Sequence, residues 1–308
     1  MIYYNVRNNI EKAKEYANKI LEFNTNFHEL NKEAKNILKQ VSETYRKIRN
    51  TARFILGNID GLDVNSLVEY NDLLEIDKFA LIKLNKLIAD CTKAYDSYDF
   101  NRAYQLINTF CVVDMSNFYL DIIKDRLYTA KPDSIERKSA QTAMYLILNS
   151  LVKILAPMTC FTAEEIWKYM PHAEGETTES VMLTSYPEVN AEYDNKELEE
   201  KWNKILKIKE DVAKKLEEAR SAKTIGHSLN AKVIMSAKDE EYRFLQENKE
   251  LLMTVFIVSG LEVVEGESDI KVEVADGEKC ERCWMYSTTV GEDKENPTIC
   301  NRCSDALK

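Results

Sequence analysis

The sequence predicts a mainly helical protein that ends in a small cysteine-rich ribbon. Eight glycines and five prolines are few for 308 residues, whereas helix-forming Lys, Glu, Leu, Ile and Ala are abundant. Apolar residues recur at three- and four-residue steps along much of the chain, as they do on the buried face of a helix. Two C-x-x-C pairs near the end of the chain interrupt this pattern. We therefore expect an antiparallel helical bundle, a long helix with a small α/β module, and a terminal ribbon.

The helical bundle is expected over residues 36–190. Its first helix begins near Asn36 and ends at Gly57. The apolar face of that helix comprises Ile37, Val41, Tyr45, Ile48, Ala52 and Ile55. Further helices are predicted over Leu73–Tyr95, Phe100–Leu127 and Ile135–Ala156. Short loops join these helices, which favours antiparallel neighbours.

The two ends of the bundle are less regular. Before it, residues 1–35 form a weakly patterned helical segment with a break near Thr25. Near its end, Thr162 and Glu165 have the spacing of a capping box at the start of another helix. A long irregular stretch from Pro171 to Asn190 then marks a domain edge.

Residues 191–276 are expected to form a junction module. A long charged helix from Asn195 to about Ala222 contains Glu and Lys residues at i, i+4 spacing, which favours ion pairs along the helix. The pattern then changes to a strand at 231–235, a helix at 240–258 and two strands at 261–264 and 270–274.

The ribbon, 277–308, carries the most specific local signal. Cys280 and Cys283 form one C-x-x-C pair, and Cys300 and Cys303 form the other after a loop of sixteen residues. Four thiolates at this spacing suit a closed tetrahedral Zn²⁺ site, which is structural because it leaves no position for substrate. The alternatives are two disulfides or a redox pair. Thiols stay reduced in the cytosol, which argues against disulfides. A redox motif would be a single C-x-x-C pair, whereas here two pairs flank a polar loop.

Composition restricts the partners of the chain. The formal net charge of −10 disfavours indiscriminate nucleic-acid binding, so any such contact must be local. The sequence begins with no signal-peptide pattern and contains no run of eighteen apolar residues, so we expect a cytoplasmic protein without membrane contact.

Several motifs occur together in one order. They are YRKIRNTARF at 45–54 with LGN at 56–58, FYLD at 118–121 with KDRLY at 124–128, LAP at 155–157, FTAEEIW at 161–167, KTIGHSLNA at 223–231, and the two C-x-R-C pairs. Together they resemble the C-terminal portion of the bacterial isoleucyl-tRNA synthetases, over roughly residues 36–303. The resemblance implies an anticodon-binding helical bundle, a terminal zinc site, and a catalytic domain carried elsewhere, in the same polypeptide or on a separate subunit.

The chain departs from that family in lacking its catalytic motifs. Class I synthetases hold ATP with H-x-G-H and K-M-S-K-S elements, and the nearest matches here, at 224–227 and 234–238, are each incomplete. The isolated cysteines Cys91, Cys111 and Cys160 are expected to be buried thiols. We therefore expect no catalytic site and no consumption of ATP or isoleucine by this chain alone. Residues 1–35 do not match the family.

One candidate tRNA-binding surface is a basic stripe on the first bundle helix. Arg46, Arg49 and Arg53 share one side of that helix, offset by about 100° from its apolar face. Guanidinium groups suit phosphate oxygens, so this stripe is a candidate RNA contact. The alternative is a solvated or salt-bridged helix face.

Four further residues are candidates for tRNA contact. Arg126 lies in a second basic group, where interspersed acids favour intramolecular ion pairs as the alternative. Trp284 follows the first cysteine pair, and Arg282 and Arg302 each occupy the third position of a C-x-R-C turn. A rigid metal knuckle with an aromatic ring and guanidinium groups suits an unpaired base. The alternative is that Trp284 covers the core of the ribbon.

The function that the sequence predicts is the tRNA-recognition portion of an isoleucine tRNA ligase. Its bundle and ribbon would grip the anticodon stem and loop of isoleucine tRNA. A second hypothesis is a stand-alone helical and zinc-ribbon protein that binds protein partners and has no affinity for tRNA. A fragment of a valine or leucine enzyme is a third, against which the terminal zinc pairs argue by resemblance.

Overall fold

A computed structural model describes Lys12, Lys14, Glu15 and residues 28–308 other than Glu176. The expected helical segment 1–35 therefore lies largely outside the described residues. The first long helix begins at His28, eight residues earlier than its apolar pattern indicated.

The described chain is mainly helical, as predicted. Its helices are α1 His28–Asn58, α2 Glu75–Asp96, α3 Phe100–Thr109, α4 Leu120–Thr129, α5 Ile135–Leu155, α6 Cys160–Tyr169, α7 Lys196–Ser221, α8 Asp239–Glu247, α9 Lys249–Phe256 and α10 Asn301–Asp305. A π-helical segment, Phe110–Tyr119, joins α3 to α4. Short 3₁₀ turns lie at Tyr70–Asp72, Val181–Leu183, Ala191–Tyr193 and Ser228–Asn230. The strands are β1 Ala231–Ala237, β2 Gly260–Glu265, β3 Asp269–Val274, β4 Glu278–Lys279 and β5 Tyr286–Ser287.

The chain divides into two compact units. Of the described residues, the first unit comprises those up to 65 together with 87–113 and 145–188, and the second comprises 66–86, 114–144 and 189–308. The expected boundaries at 36, 191 and 277 remain predictions based on sequence pattern.

In the first unit, α1 packs on α3 and α6. Ile48, Ala52 and Ile55 of α1 are buried, because they recur at helical spacing on the face that meets these helices. Two polar contacts fix the same face. The hydroxyls of Tyr45 and Thr162 are 2.8 Å apart, and the Thr51 hydroxyl donates to the carbonyl of Cys111.

In the second unit, an aromatic cluster holds α7 against the bundle residues of that unit. The rings of Phe79 and Trp202 stack with centroids 4.8 Å apart, and Phe118 meets both edge-on. Trp202 is completely buried, so the long charged helix has one anchored face. Lys201 of that helix also forms a 2.7 Å ion pair with Glu75.

The small sheet of the second unit has the order β2-β1-β3. β1 pairs parallel with β2, as a helical crossover through α8 and α9 allows, and antiparallel with β3. Alternate residues of β1 are buried, from Ala231 to Ala237, because the helices cover only one face of the strand. The predicted strand–helix–strand–strand order is confirmed, although Asn248 divides the expected helix into two.

Four local expectations are wrong. Ile37 and Val41 are about half exposed, because the described residues cover only the second half of the apolar face of α1. Thr162 does not cap α6, which begins at Cys160 with Thr159 as its N-cap. Cys160 is exposed, because it occupies the first turn of that helix. The ion pairs along α7 join residues three apart and not four apart as expected: Lys214 pairs with Asp211, and Lys215 with Glu218.

Within the described residues, the continuous helical run Phe100–Thr129 is long and apolar enough by composition to span a membrane. Half of its apolar window is buried inside the protein, as in the core helix of a globular protein.

Candidate metal centre and nucleic-acid surface

The ribbon positions its cysteines with a short hairpin and a short helix. β4 and β5 pair antiparallel, with Lys279 opposite Tyr286, and Cys280 follows β4 directly. The turn is tight because the Cys280 carbonyl accepts from the Trp284 amide at 2.9 Å. Gly277 adopts φ +84°, and a side chain there would meet the backbone of Ser287 at 2.3 Å, so only glycine fits. Cys300 then caps the helix α10 that carries Cys303.

The four sulfur atoms converge on one point. All lie within 4.8 Å of one another, and the Sγ atoms of Cys283 and Cys300 are 3.8 Å apart. A tetrahedral zinc site with Zn–S bonds of about 2.3 Å places its sulfurs roughly 3.8 Å apart, so the donor set fits this ion. Cys280, Cys300 and Cys303 are buried, and no histidine or carboxylate joins this cluster within the described residues. The cysteines would hold zinc as a closed structural centre.

Backbone amides prepare the first cysteine for metal binding. Burial acts to raise the pKa of the Cys280 thiol, but amide hydrogen bonds around Cys283, Cys300 and Arg282 outweigh it and lower that pKa to about 6. The Cys300 amide lies 3.4 Å from the Cys280 sulfur. Because the thiolate is the form that binds zinc, these amides favour the metal-binding state.

The rest of the ribbon supports the cluster. Ile299 and Val290 pack against the cysteines. Asp293 accepts from the hydroxyl of Ser304 and from the amide of Glu295, and these hydrogen bonds lower its pKa to about 2. The loop between the two cysteine pairs is thus tied to α10.

Both C-x-R-C arginines have protein partners on α4. The Arg302 guanidinium binds the Asp125 carboxylate in bidentate fashion, with Nη2 2.8 Å from Oδ1. The Arg282 Nη1 atom donates to the carbonyl of Thr129 at 2.6 Å. Direct RNA contact by Arg282 and Arg302 stays a prediction, but in this structure both groups are used within the protein.

Trp284 lies on the surface of the ribbon. Its side chain is 60% exposed, so it does not cover the ribbon core, and its backbone adopts φ +65°. The Lys279 ammonium lies 4.9 Å from the centre of the indole ring. An exposed indole held by a rigid turn presents one face for stacking.

Trp284 lines a groove of about 930 Å³ within the second unit. Apolar walls come from Tyr128, Met253 and Ile257, and Tyr128 is itself 58% exposed. The groove is also lined by the cations Lys124, Lys279, Arg282 and Arg302, of which Lys124 pairs with Asp121 and Arg302 with Asp125 in the same lining. Aromatic surface bordered by cations is the combination that binds unpaired nucleotides.

The predicted basic stripe is present on α1 of the first unit. Arg46, Arg49 and Arg53 are exposed, while Ile48 and Ala52 beside them are buried. The helix therefore separates a packed face from a basic one, as its sequence predicted. Phosphate contact by these arginines remains a prediction.

Arg126 is placed inside the second unit rather than on a surface. Its guanidinium binds Asp77, which is completely buried and also accepts from the hydroxyls of Tyr119 and Ser139. Burial acts to lower the pKa of Arg126, but the adjacent carboxylate outweighs it and raises that pKa. The structure thus favours the ion-pair alternative for Arg126, and its contact with tRNA stays an untested prediction.

The sequence reasoning missed the residues that complete these sites. The ribbon arginines bind Asp125 and Thr129, and the groove is lined by Tyr128. All three residues lie in α4, far from the cysteines in sequence. Their spacing of three and four residues on one helix was the available signal. It did not indicate which partner the helix face would meet.

Comparison with known families agrees with this geometry. Residues 77–235 match the anticodon-binding domain of tRNA ligase, and residues 277–306 match the zinc finger found in FPG and IleRS. The first match covers more than half of the chain, so the chain belongs to the family of anticodon-binding domains of tRNA ligases. The second match confirms the predicted structural zinc site.

The relatives narrow the family further. Isoleucine–tRNA ligase of Caldicellulosiruptor saccharolyticus is 55% identical over 280 residues, which cover 89% of this chain and 30% of that protein. Isoleucine–tRNA ligase of Caldanaerobacter subterraneus subsp. tengcongensis is 50% identical over 287 residues, covering 88% of this chain and 31% of that protein. The chain thus spans about three tenths of the length of these relatives. The resemblance to isoleucyl-tRNA synthetases is confirmed, and the stand-alone protein-interaction hypothesis is not favoured.

Proposed function

We propose that this chain is the tRNA-recognition portion of an isoleucine–tRNA ligase and that it binds the anticodon stem and loop of isoleucine tRNA. The observation that carries the proposal is the groove in front of Trp284, where an exposed indole beside the four-cysteine cluster has the Lys279 ammonium 4.9 Å from its ring centre. The relatives, which are isoleucine–tRNA ligases, support the choice of amino acid.

Two kinds of contact would bind the tRNA: contacts to its phosphates and contacts to its bases. On α1, the guanidinium groups of Arg46, Arg49 and Arg53 bind backbone phosphates and supply affinity that falls with salt. In the groove, Trp284 stacks on an unpaired base, and the ammonium of Lys279 beside the ring binds a neighbouring phosphate. Base contacts supply the discrimination between tRNAs, because phosphates are the same in every sequence.

The charge of the chain fits local rather than general RNA binding. A formal net charge of −10 repels polyanions overall, so affinity depends on the few places where cations gather. The zinc ion does not react in this proposal. When bound, it holds the two cysteine turns in place, and Trp284 with them.

The reaction itself belongs to a catalytic region outside the chain. The bundle and ribbon position the tRNA so that its acceptor end reaches that region, which uses ATP and isoleucine. The catalytic region lies in the same polypeptide or on a separate subunit, and the assembly is cytoplasmic. The length of the relatives, more than three times the matched segment, supports a longer polypeptide.

The test is equilibrium binding of the zinc-loaded chain to isoleucine tRNA and to an unrelated tRNA of equal length at physiological salt. We expect preferential binding of isoleucine tRNA. A second comparison uses isoleucine tRNA with a substituted anticodon, which separates anticodon recognition from backbone affinity. Equal binding of all three tRNAs, or no binding, would overturn the proposal.

A further inference from the structure

The two C-x-R-C arginines contact the same face of α4. Arg302 binds Asp125 and Arg282 binds Thr129, and these two acceptors are four residues apart on the helix. Residues at that spacing lie one above the other on an α-helix. The ribbon is therefore fixed at two points one helical turn apart, which restrains both its position and its rotation.

Each contact is of a strong type. The Arg302–Asp125 pair is bidentate and charged on both sides, which gives both energy and fixed geometry. Thr129 is the last residue of α4, so its carbonyl lacks a partner within the helix. A guanidinium at that end satisfies the carbonyl and complements the negative end of the helix dipole.

We propose that Arg282, Arg302 and Asp125 are positioning residues that hold the zinc ribbon on α4 and so form the groove in front of Trp284. We call these three residues the latch. They act through the ribbon and do not touch RNA. The consequence for tRNA rests on the proposed function, whereas the docking of the ribbon on α4 does not.

The groove explains why this docking matters. Two aromatic residues line the groove: Tyr128 belongs to α4, and Trp284 belongs to the ribbon. Only the relative position of the two elements brings these rings to one groove. Losing the latch would separate the walls while leaving the zinc site and α4 each intact.

The experiment exchanges the charges of the latch. Arg302→Asp, Asp125→Arg and the double variant with both changes are compared with the unaltered chain. The control is Asp133→Arg, which makes the same change of charge as Asp125→Arg at an exposed position in the loop after α4. Zinc content, hydrogen exchange of peptides 120–130 and 277–305, and affinity for isoleucine tRNA are measured on each.

We expect each single variant to keep one zinc per chain, exchange these peptides about tenfold faster and bind tRNA about tenfold more weakly, since it loses the bidentate pair and brings two like charges together. The double variant should restore both properties, and Asp133→Arg should alter neither. Should Arg302→Asp lose zinc, Asp125→Asn decides, because it leaves every ribbon residue unchanged. In Asp125→Asn, hydrogen exchange of the same peptides should also become faster.

Two results separate this inference from the proposed function. If Arg302→Asp weakens tRNA binding with unchanged hydrogen exchange, and the double variant restores nothing, Arg302 contacts RNA directly and the latch is overturned. If exchange responds as expected but the unaltered chain binds no tRNA, the latch stands and the proposed function fails.

Discussion

The carboxylate of Asp77 is completely buried and accepts a hydrogen bond from the guanidinium of Arg126, with Oδ2 2.9 Å from Nη1. The other donors to this carboxylate are the hydroxyls of Tyr119 and Ser139. This buried charge of α2 is thus satisfied by donors of the second unit on two other helical segments, α5 and the run that ends in α4. A charge so placed stabilises the fold only while its partners remain, because desolvation is costly.

Removing the carboxylate should therefore destabilise the protein strongly. We expect Asp77→Ala to lower the free energy of unfolding by about 3–5 kcal/mol, because Arg126 is left buried without its counter-ion. Urea unfolding followed by circular dichroism measures this. The control is Asp211→Ala, which breaks the exposed pair with Lys214 and should leave the free energy of unfolding nearly unchanged. Equal effects of the two substitutions would contradict this account.

How much the sequence predicts depends on how local each signal is. The four zinc ligands fall within one short segment whose spacing is itself the geometric requirement, so the site was predictable in full. The helices were predictable because apolar spacing directly reflects the face that packs. The ion-pair partner of Arg126 was not predictable from the neighbouring sequence, since Asp77 lies 49 residues away.

The partners of the ribbon arginines and of the apolar face of α1 were likewise not predictable from local sequence. Arg302 and Asp125 are 177 residues apart, and neither side chain carries a signal that names its partner. The apolar pattern of α1 identified a face correctly, but a pattern does not say what covers it. Ile48 is buried by the first unit, whereas Ile37 is 53% exposed in the described protein.

The basic stripe of α1 predicts a salt-dependent loss of tRNA affinity. Replacing Arg49 and Arg53 together by Glu should weaken binding of isoleucine tRNA by tenfold or more and reduce the slope of log affinity against log salt by about 0.7–0.9 per lost phosphate contact. Filter binding over a salt series measures both. The control is Arg243→Glu, an exposed arginine on α8. An unchanged slope in the Arg49 and Arg53 variant would remove α1 from the interface.

The zinc centre predicts a stoichiometry and a restricted unfolding. The chain should bind one zinc, and Cys303→Ser should abolish binding, because three thiolates do not complete a closed tetrahedral site. Strong chelation should unfold the ribbon and leave the helical signal nearly intact. Metal analysis and circular dichroism test these statements. Cys160→Ser is the control, since Cys160 is exposed and lies outside the cluster. Loss of zinc in that variant would contradict the assignment.

Trp284 predicts a loss of binding without a loss of stability. Because the side chain is 60% exposed, Trp284→Ala should change the free energy of unfolding by less than about 0.5 kcal/mol. Removing a stacking platform should weaken tRNA binding by about 1–3 kcal/mol, and Trp284→Phe should recover part of it. The matched control is Tyr169→Ala, an equally exposed aromatic residue on α6. Equal affinities of Trp284→Ala and Trp284→Phe would argue against stacking.

The cysteines differ in reactivity in a way that tests burial and metal binding together. In the zinc-loaded protein at pH 8 we expect one rapidly alkylated thiol, Cys160, because it alone among the isolated cysteines is exposed. Burial, reinforced by the charge of Asp90, raises the pKa of Cys91 to about 12. Since pH 8 lies far below that pKa, the Cys91 thiol stays protonated and reacts slowly. Cys111 is completely buried. Mass spectrometry after brief iodoacetamide treatment identifies the modified positions.

Two variants of the alkylation measurement determine what each thiol reports. Cys160→Ser should remove the rapid reaction, and adding a strong chelator should expose the four ribbon cysteines to it, because zinc-bound thiolates are released only when the metal leaves. Since Cys91 and Cys111 lie in the helical core, they should remain slow in the chelated protein. Rapid alkylation of either one there would mean that the bundle depends on the zinc ribbon for its own folding.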